Sequence, residues 1–331
     1  MGGIQMSKEY KFSSALSQHI IGFITEKRDC GFKYDRQYRI LKSLDKYWNS
    51  NEFQESIMTA EALEDWCSLN PNEGYGSLAN RISVIREFSK YLCGLGYDSY
   101  IPPRGIHYNP VERVPLTSEE IEALFIQIDG LTLNKRASSA CKRIVNEYPI
   151  IFRLLYLNGM RIEETCSILL EHYDPHKGII TIYDGKGKKD RLIYLADDMN
   201  SLCNDYIGYL YRILGNQSGW LFPGYNAQNH ITANCVESVF NKCWHRTSFS
   251  NTGRKKPVVH DLRHTMIENK INKWVAEGVS FDLMRPYLST YLGHKTWSET
   301  LYYFHNSKET AHNLHSVDTV SKKVIPEVKR L

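Results

Sequence analysis

No apolar stretch of this chain approaches the roughly 18 residues that a membrane-spanning helix needs. The opening MGGIQMSKEYKF also lacks the apolar core of a signal peptide. A cytoplasmic location with no membrane partner is therefore expected. The eight cysteines, Cys30, Cys67, Cys93, Cys141, Cys166, Cys203, Cys235 and Cys243, include no CxxC pair. That argues against a zinc ribbon or a dithiol redox motif and predicts reduced, buried thiols. HExxH is missing too. His260 and His264 stand four apart, as two helical metal ligands would, but no third ligand lies near them. Neither a metal nor a cofactor is expected. Charge of one sign is equally scarce: 41 Lys and Arg face 37 Asp and Glu, a net of +4.

What is present divides the chain. At 331 residues, with 42% apolar and 24% charged side chains, it suits about two globular domains. Residues 1–110 hold 13 basic and 13 acidic side chains, so the whole excess lies beyond them, at 28 against 24. It concentrates in residues 241–273, where eight cations (Lys242, Arg246, Arg254, Lys255, Lys256, Arg263, Lys270, Lys273) meet only Asp261 and Glu268. Beside His260 and Arg263, such a run reads as a polyanion footprint.

Apolar spacing predicts helices over Ser7–Cys30, Tyr34–Trp48, Thr59–Leu69 and Leu78–Leu92. Residues 1–98 thus form a small helical domain. Residues 99–115, SYIPPRGIHYNPVERVP, carry four prolines and no periodicity, as an extended linker does. The second domain opens at residue 116, where TSEE reads as a capping box. A polar stretch from Asp129 to Asn146 precedes a buried helix over Tyr148–Asn158, and after Asn158-Gly159 and Met160-Arg161 the run IEETCSILLEHYD predicts another. GIITI and RLIYL flank a basic, glycine-rich hairpin tip, Asp184 to Asp190. Helices over Met199–Leu214 and Ile231–Trp244 follow. The tail, residues 306–331, is polar and weakly periodic, so it is either disordered or docked on another subunit.

One stretch carries the chemistry. HDLRHTMIENKINKWVAEGVSFDLMRPYLSTYLGHKTWSETLYYFH sets His260, Arg263, His294 and Tyr303 within a few helical turns. His260 and Arg263, three apart, share a helix face. A guanidinium there can grip two phosphate oxygens. A tyrosine hydroxyl becomes a nucleophile where cations and a base surround it. Arg161, a permanent charge at the turn between two buried helices, suits phosphate binding or a pairing with Glu164. Either Tyr302 or Tyr303 could be the nucleophile, since they point about 100° apart on a helix and only one can face a phosphate.

NGMRIEE, GKGKKDRLIYL, HDLRHT and YLGHKTWSETLYYFH, in this order from about Thr117 to His305, resemble the motifs of the tyrosine recombinase (phage integrase, lambda-integrase-like) family. The resemblance implies a mainly α fold with a small β-hairpin sheet (α+β), a two-domain DNA clamp. In that clamp a core-binding domain precedes a catalytic domain over residues 116–305. It implies catalytic roles for Arg161, Lys186, His260, Arg263, His294 and Tyr303, with Glu164 in support. The family spacing from the LGH histidine to the nucleophile selects Tyr303 over Tyr302, and the Gly-Lys-Gly match selects Lys186 over Lys188 and Lys189. Lys188, Lys189, Arg191, Arg254, Lys255 and Lys256 are expected to contact DNA.

The implied activity is site-specific DNA recombination, as by the integrase of a mobile element, through a 3′-phosphotyrosyl intermediate and a Holliday junction. The implied partners are double-stranded recombination sites, three further copies of the chain in a tetramer docked in part through the tail, and an accessory DNA-bending protein. A nucleoid-associated location would follow. A type IB topoisomerase or telomere resolvase shares the chemistry, and a catalytically idle DNA-binding accessory protein is the alternative from another class.

Overall fold

The computed structural model describes residues 10–104, 114–133, 136–183, 190–294, 296 and 299–300. Two compact units divide the chain, Met1–Val111 and Glu112–Leu331.

Among the described residues of the first unit the regular elements are all helices: α1 (Ser17–Asp29), α2 (Asp35–Ser50), α3 (Ala60–Glu64) and α4 (Tyr75–Gly94). Its core is the apolar stripe of each helix, with Ile20, Phe23, Leu41, Leu44, Trp48, Phe88 and Leu92 at 1% exposure or less. Each such side chain contributes about 1.5–3 kcal/mol on burial. The first helix starts at Ser17, ten residues later than its spacing predicts. Buried Asp45 is the reason: it accepts hydrogen bonds from the Ser14 N–H (3.0 Å), the Ser14 hydroxyl (2.6 Å) and the Tyr10 hydroxyl (2.8 Å). These hold residues 10–14 out of the helix. Ser99 is buried, and the Tyr100 N–H donates to the Met58 carbonyl at 2.7 Å. The expected linker therefore begins with residues fixed to the first unit.

The second unit continues with α5 (Ser118–Asp129), α6 (Ser139–Val145), α7 (Tyr148–Leu157) and α8 (Ile162–Cys166), then β1 (Tyr173–Asp174), β2 (Ile179–Ile182) and β3 (Arg191–Tyr194). It closes its described part with α9 (Asp197–Leu214), α10 (Ala233–Trp244), α11 (Val259–Ala276) and α12 (Phe281–Leu292). Thr117 and Glu120 form the capping box at the start of α5. Helix α7 is the hub: Ile151, Phe152 and Leu154 are fully buried, and it packs against α5, α8, α9 and α11. The sheet is antiparallel in the order β1-β2-β3, with Ile180 opposite Ile193 and Ile182 opposite Arg191.

Further local expectations are corrected: the helix expected over Thr59–Leu69 is only Ala60–Glu64, and Cys30, Cys93 and Cys235, expected to be buried, are exposed. The helix expected over IEETCSILLEHYD stops at Cys166, because the Ile168 carbonyl accepts from the Leu221 N–H and the Leu170 N–H donates to the Gly219 carbonyl, both at 2.8 Å. The chain beyond becomes a bridge to Trp220 and then the third strand, β1, which the sequence did not reveal. The polar stretch before α7 contains α6, capped by the Ser138 hydroxyl.

Candidate active site

Four segments far apart in sequence meet at the C-terminus of α12. Gly293 ends that helix at φ +64°, ψ 44°, a conformation that favours glycine. The Gly293 N–H donates to the Thr290 carbonyl and the His294 N–H to the Ser289 carbonyl, at 3.1 and 3.0 Å. That closing turn leaves the Leu292 and Gly293 carbonyls facing the arginines. Arg263, on α11 and 2% exposed, donates one guanidinium nitrogen to the Leu292 carbonyl at 2.9 Å. The other donates to the Gly159 carbonyl. Gly159 is itself left-handed, φ +58°, and a Cβ there would lie 1.9 Å from the Met266 methyl of α11. The methyl is the free end of a flexible side chain and could move aside, so it is the left-handed backbone that favours glycine at this turn.

Arg161 follows as the N-cap of α8. One of its guanidinium nitrogens donates to Glu164 Oε1 at 2.8 Å and the other to the Gly293 carbonyl at 3.4 Å, while its N–H donates to Glu164 Oε2 at 3.1 Å. Glu164 accepts a second guanidinium: Arg191, at the start of β3, reaches Oε1 at 3.1 Å and Oε2 at 2.6 Å. Burial alone would push this carboxyl up, but Arg191, and after it Arg161, hold it down at about 2. Glu164 is thus an anion shared by two cations at any ordinary pH.

His294 is buried. Its Nδ1 lies 2.7 Å from the Thr300 hydroxyl and its Nε2 lies 3.3 Å from an Arg263 guanidinium nitrogen. The Thr300 hydroxyl also lies 3.4 Å from Ser289 Oγ, so Thr300 and Ser289 together fix the orientation of the ring. His260 sits in the first turn of α11 with its ring exposed and edge-on to His264 at 4.9 Å. Among the described residues no group of three metal-ligating side chains forms around that pair or elsewhere.

The structure thus brings Arg161, Glu164, Arg263 and His294 together, with His260 on the same helix as Arg263. Lys186, Lys188, Lys189, Tyr302 and Tyr303 lie outside the described residues. Two arginines expected at DNA make ion pairs within the chain. Arg191 is 6% exposed and held by Glu164. Arg254 pairs with Glu120 and donates to the Val114 and Pro115 carbonyls at 2.9 and 2.7 Å. Lys255 and Lys256 remain exposed.

Residues that sequence reasoning missed are supports. Ser289 and Thr300 orient His294, and the Tyr291 hydroxyl donates to the Asn158 carbonyl at 3.0 Å. Burial raises the Tyr291 phenol, which keeps it a donor. The only sequence signal for these was their nearness to the LGH triplet.

The arrangement presents two guanidinium groups and an imidazole around one turn, which is a receptor for an oxyanion with charge to spread. The sequence profile of the phage integrase family matches residues 115–310. The integrase/recombinase y4rB of Sinorhizobium fredii is 24% identical over 302 residues, covering 89% of this chain and 94% of that protein. The tyrosine recombinase XerD of Haemophilus ducreyi is 25% identical over 259 residues, 74% of this chain and 77% of its own. The fold resembles that of lambda integrase, solved as a tetramer bound to a Holliday junction, with a TM-score of 0.59 at 16% identity over 86% of this chain and 76% of that one. Among the described residues no helix is long and apolar enough to cross a membrane. With well over half of its length inside the family profile and the motif residues meeting at one turn, this chain belongs to the phage integrase family.

Proposed function

We propose that the chain is a site-specific DNA recombinase, the integrase of a mobile element, that breaks and rejoins DNA through Tyr303. The observation that carries this reading is the convergence of Arg161, Arg263 and His294 on the Leu292–Gly293–His294 turn. The nucleophile follows that turn by nine residues in the sequence. The Tyr303 hydroxyl attacks a DNA phosphodiester, forming a 3′-phosphotyrosyl bond and releasing a 5′-hydroxyl. That covalent link conserves the bond energy for religation. Arg161 and Arg263 bind the non-bridging oxygens and offset the charge that develops as phosphorus becomes five-coordinate. His260 takes or relays the tyrosine proton, His294 holds a phosphate oxygen, and Lys186 protonates the leaving 5′-oxygen.

The helical first unit would bind the core site, with the exposed Lys255 and Lys256 adding phosphate contacts in the second. Four protomers would join two duplexes through a Holliday junction, with the tail after residue 305 docking between neighbours. The lambda integrase tetramer, a relative in fold, supports that assembly. An accessory DNA-bending protein would set direction, and the complex would work at the nucleoid.

The test is covalent trapping. Duplexes from the gene's own flanks, nicked beside the scissile phosphate, are incubated with the protein in EDTA and resolved in SDS. An adduct lost with Tyr303→Phe and kept with Tyr302→Phe is the expected result. Loss with Tyr302→Phe alone would move the nucleophile by one residue. Absence of any adduct while DNA binding persists would replace the recombinase with an accessory protein.

A further inference from the structure

Arg191 opens β3, just after the hairpin tip, and the hydrogen bonds of its side chain among the described residues go to Glu164 alone. Both of its terminal nitrogens bond that carboxylate, and its buried Nε has no partner. Glu164 is saturated by this. Oε1 accepts from Arg191 and the Arg161 guanidinium, and Oε2 from Arg191 and the Arg161 N–H. Arg191 also forms a floor under the Leu292–Gly293–His294 turn: a Cβ on Gly293 would come within 3.1 Å of its Nη1. A side chain so placed is 6% exposed and committed to this carboxylate, and it touches two of the segments that carry the motif residues.

The charge arithmetic gives it a purpose. A lone Glu164–Arg161 pair would fix the direction of Arg161 and also neutralise it, leaving a weak phosphate receptor. Two guanidinium groups on one carboxylate leave a net charge of +1. We infer that Arg191 is a positioning residue that absorbs the charge of Glu164 from behind, so that Glu164 can aim Arg161 while Arg161 keeps its positive charge for a phosphate. The identity of that phosphate as DNA rests on the recombinase proposal, whereas the charge relation does not. The low carboxyl of Glu164, which Arg191 holds down more strongly than Arg161 does, agrees with this division of labour.

The test uses full-length protein and inorganic sulfate as the probe, titrated at constant ionic strength and followed at the Arg Nε–Hε signal that Arg161→Lys removes. Arg191→Gln should weaken sulfate binding about tenfold, the scale of one unopposed charge at close range. The double variant Glu164→Gln/Arg191→Gln restores the net charge of +1 and should bind within about threefold of the wild type. Arg191→Lys, which keeps the charge with one donor head, should fall between. Wild-type affinity in Arg191→Gln overturns the inference, and so does a double variant as weak as that single one. If Arg191→Gln does not fold, the double variant decides by the same threefold or tenfold outcome. Adduct formation by the wild type is scored separately. Its absence would sink the recombinase proposal while the sulfate series still decides Arg191.

Discussion

Two carboxylates in the second unit, both close to buried arginines, end at opposite ends of the titration scale. Glu147 is fully buried and pairs with Arg143, whose remaining bonds go to the Pro223 and Gly224 carbonyls at 2.7 and 2.5 Å. Burial pushes its carboxyl up to about 8 against the pull of Arg143 and Tyr206. Glu164 has two arginines and sits at about 2. One cation, partly spent on carbonyls, does not offset the loss of water around a carboxylate, and two do. The first pair ties α6 to the 223–224 turn and serves structure. The second keeps a charge in place for use.

The difference predicts how each pair breaks. The largest effect is expected for Glu164→Gln, which leaves two guanidinium groups facing each other with no anion between them. It should cost about 3–5 kcal/mol of unfolding free energy in urea titrations. Arg143→Met should cost less, about 2 kcal/mol, because Glu147, which burial already raises to about 8, is left as a neutral acid rather than as a lone anion. Equal losses in the two variants would erase the comparison. Gly293→Ala should cost about 1–2 kcal/mol from its left-handed backbone. It should also slow cleavage, because the new methyl presses on Arg191.

The pH dependence separates the carboxylates by sign. For Glu164 the folded-state value is depressed, so its contribution is present above the ordinary 4.5 and is lost as pH falls toward about 2. For Glu147 the folded state holds the proton more tightly. Its contribution therefore declines as pH rises from 4.5 to about 8. Glu147→Gln should change stability at neutral pH by less than about 1 kcal/mol and flatten that decline in melts taken across the window. A slope unchanged by the substitution would assign the decline to another group.

Helix existence was legible because the apolar positions of α1, α2, α4, α7, α9 and α10 recur at helical spacing and turn inward. What the sequence hid was decided by distant partners. Asp45 shortens the first helix, the Leu221 N–H ends the run after Cys166, and Arg143 makes a helix in a polar stretch worth burying. The site was legible as motifs, and Arg161, Arg263 and His294 do meet. The sign of a side chain's job was not. Arg191 and Arg254 read as DNA contacts because charge alone does not tell a phosphate from an internal carboxylate, and Glu164 and Glu120 lie 27 and 134 residues away from them.

Arg263 binds the carbonyls of Gly159 and Leu292, groups every amino acid carries. Those two bonds depend on the path of the main chain, whereas the contact with His294 Nε2 is one between side chains. Substitutions nearby that keep the two glycine turns leave those two carbonyl bonds in place. A protein built this way can drift to a quarter identity with its relatives while its reactive centre stays in register.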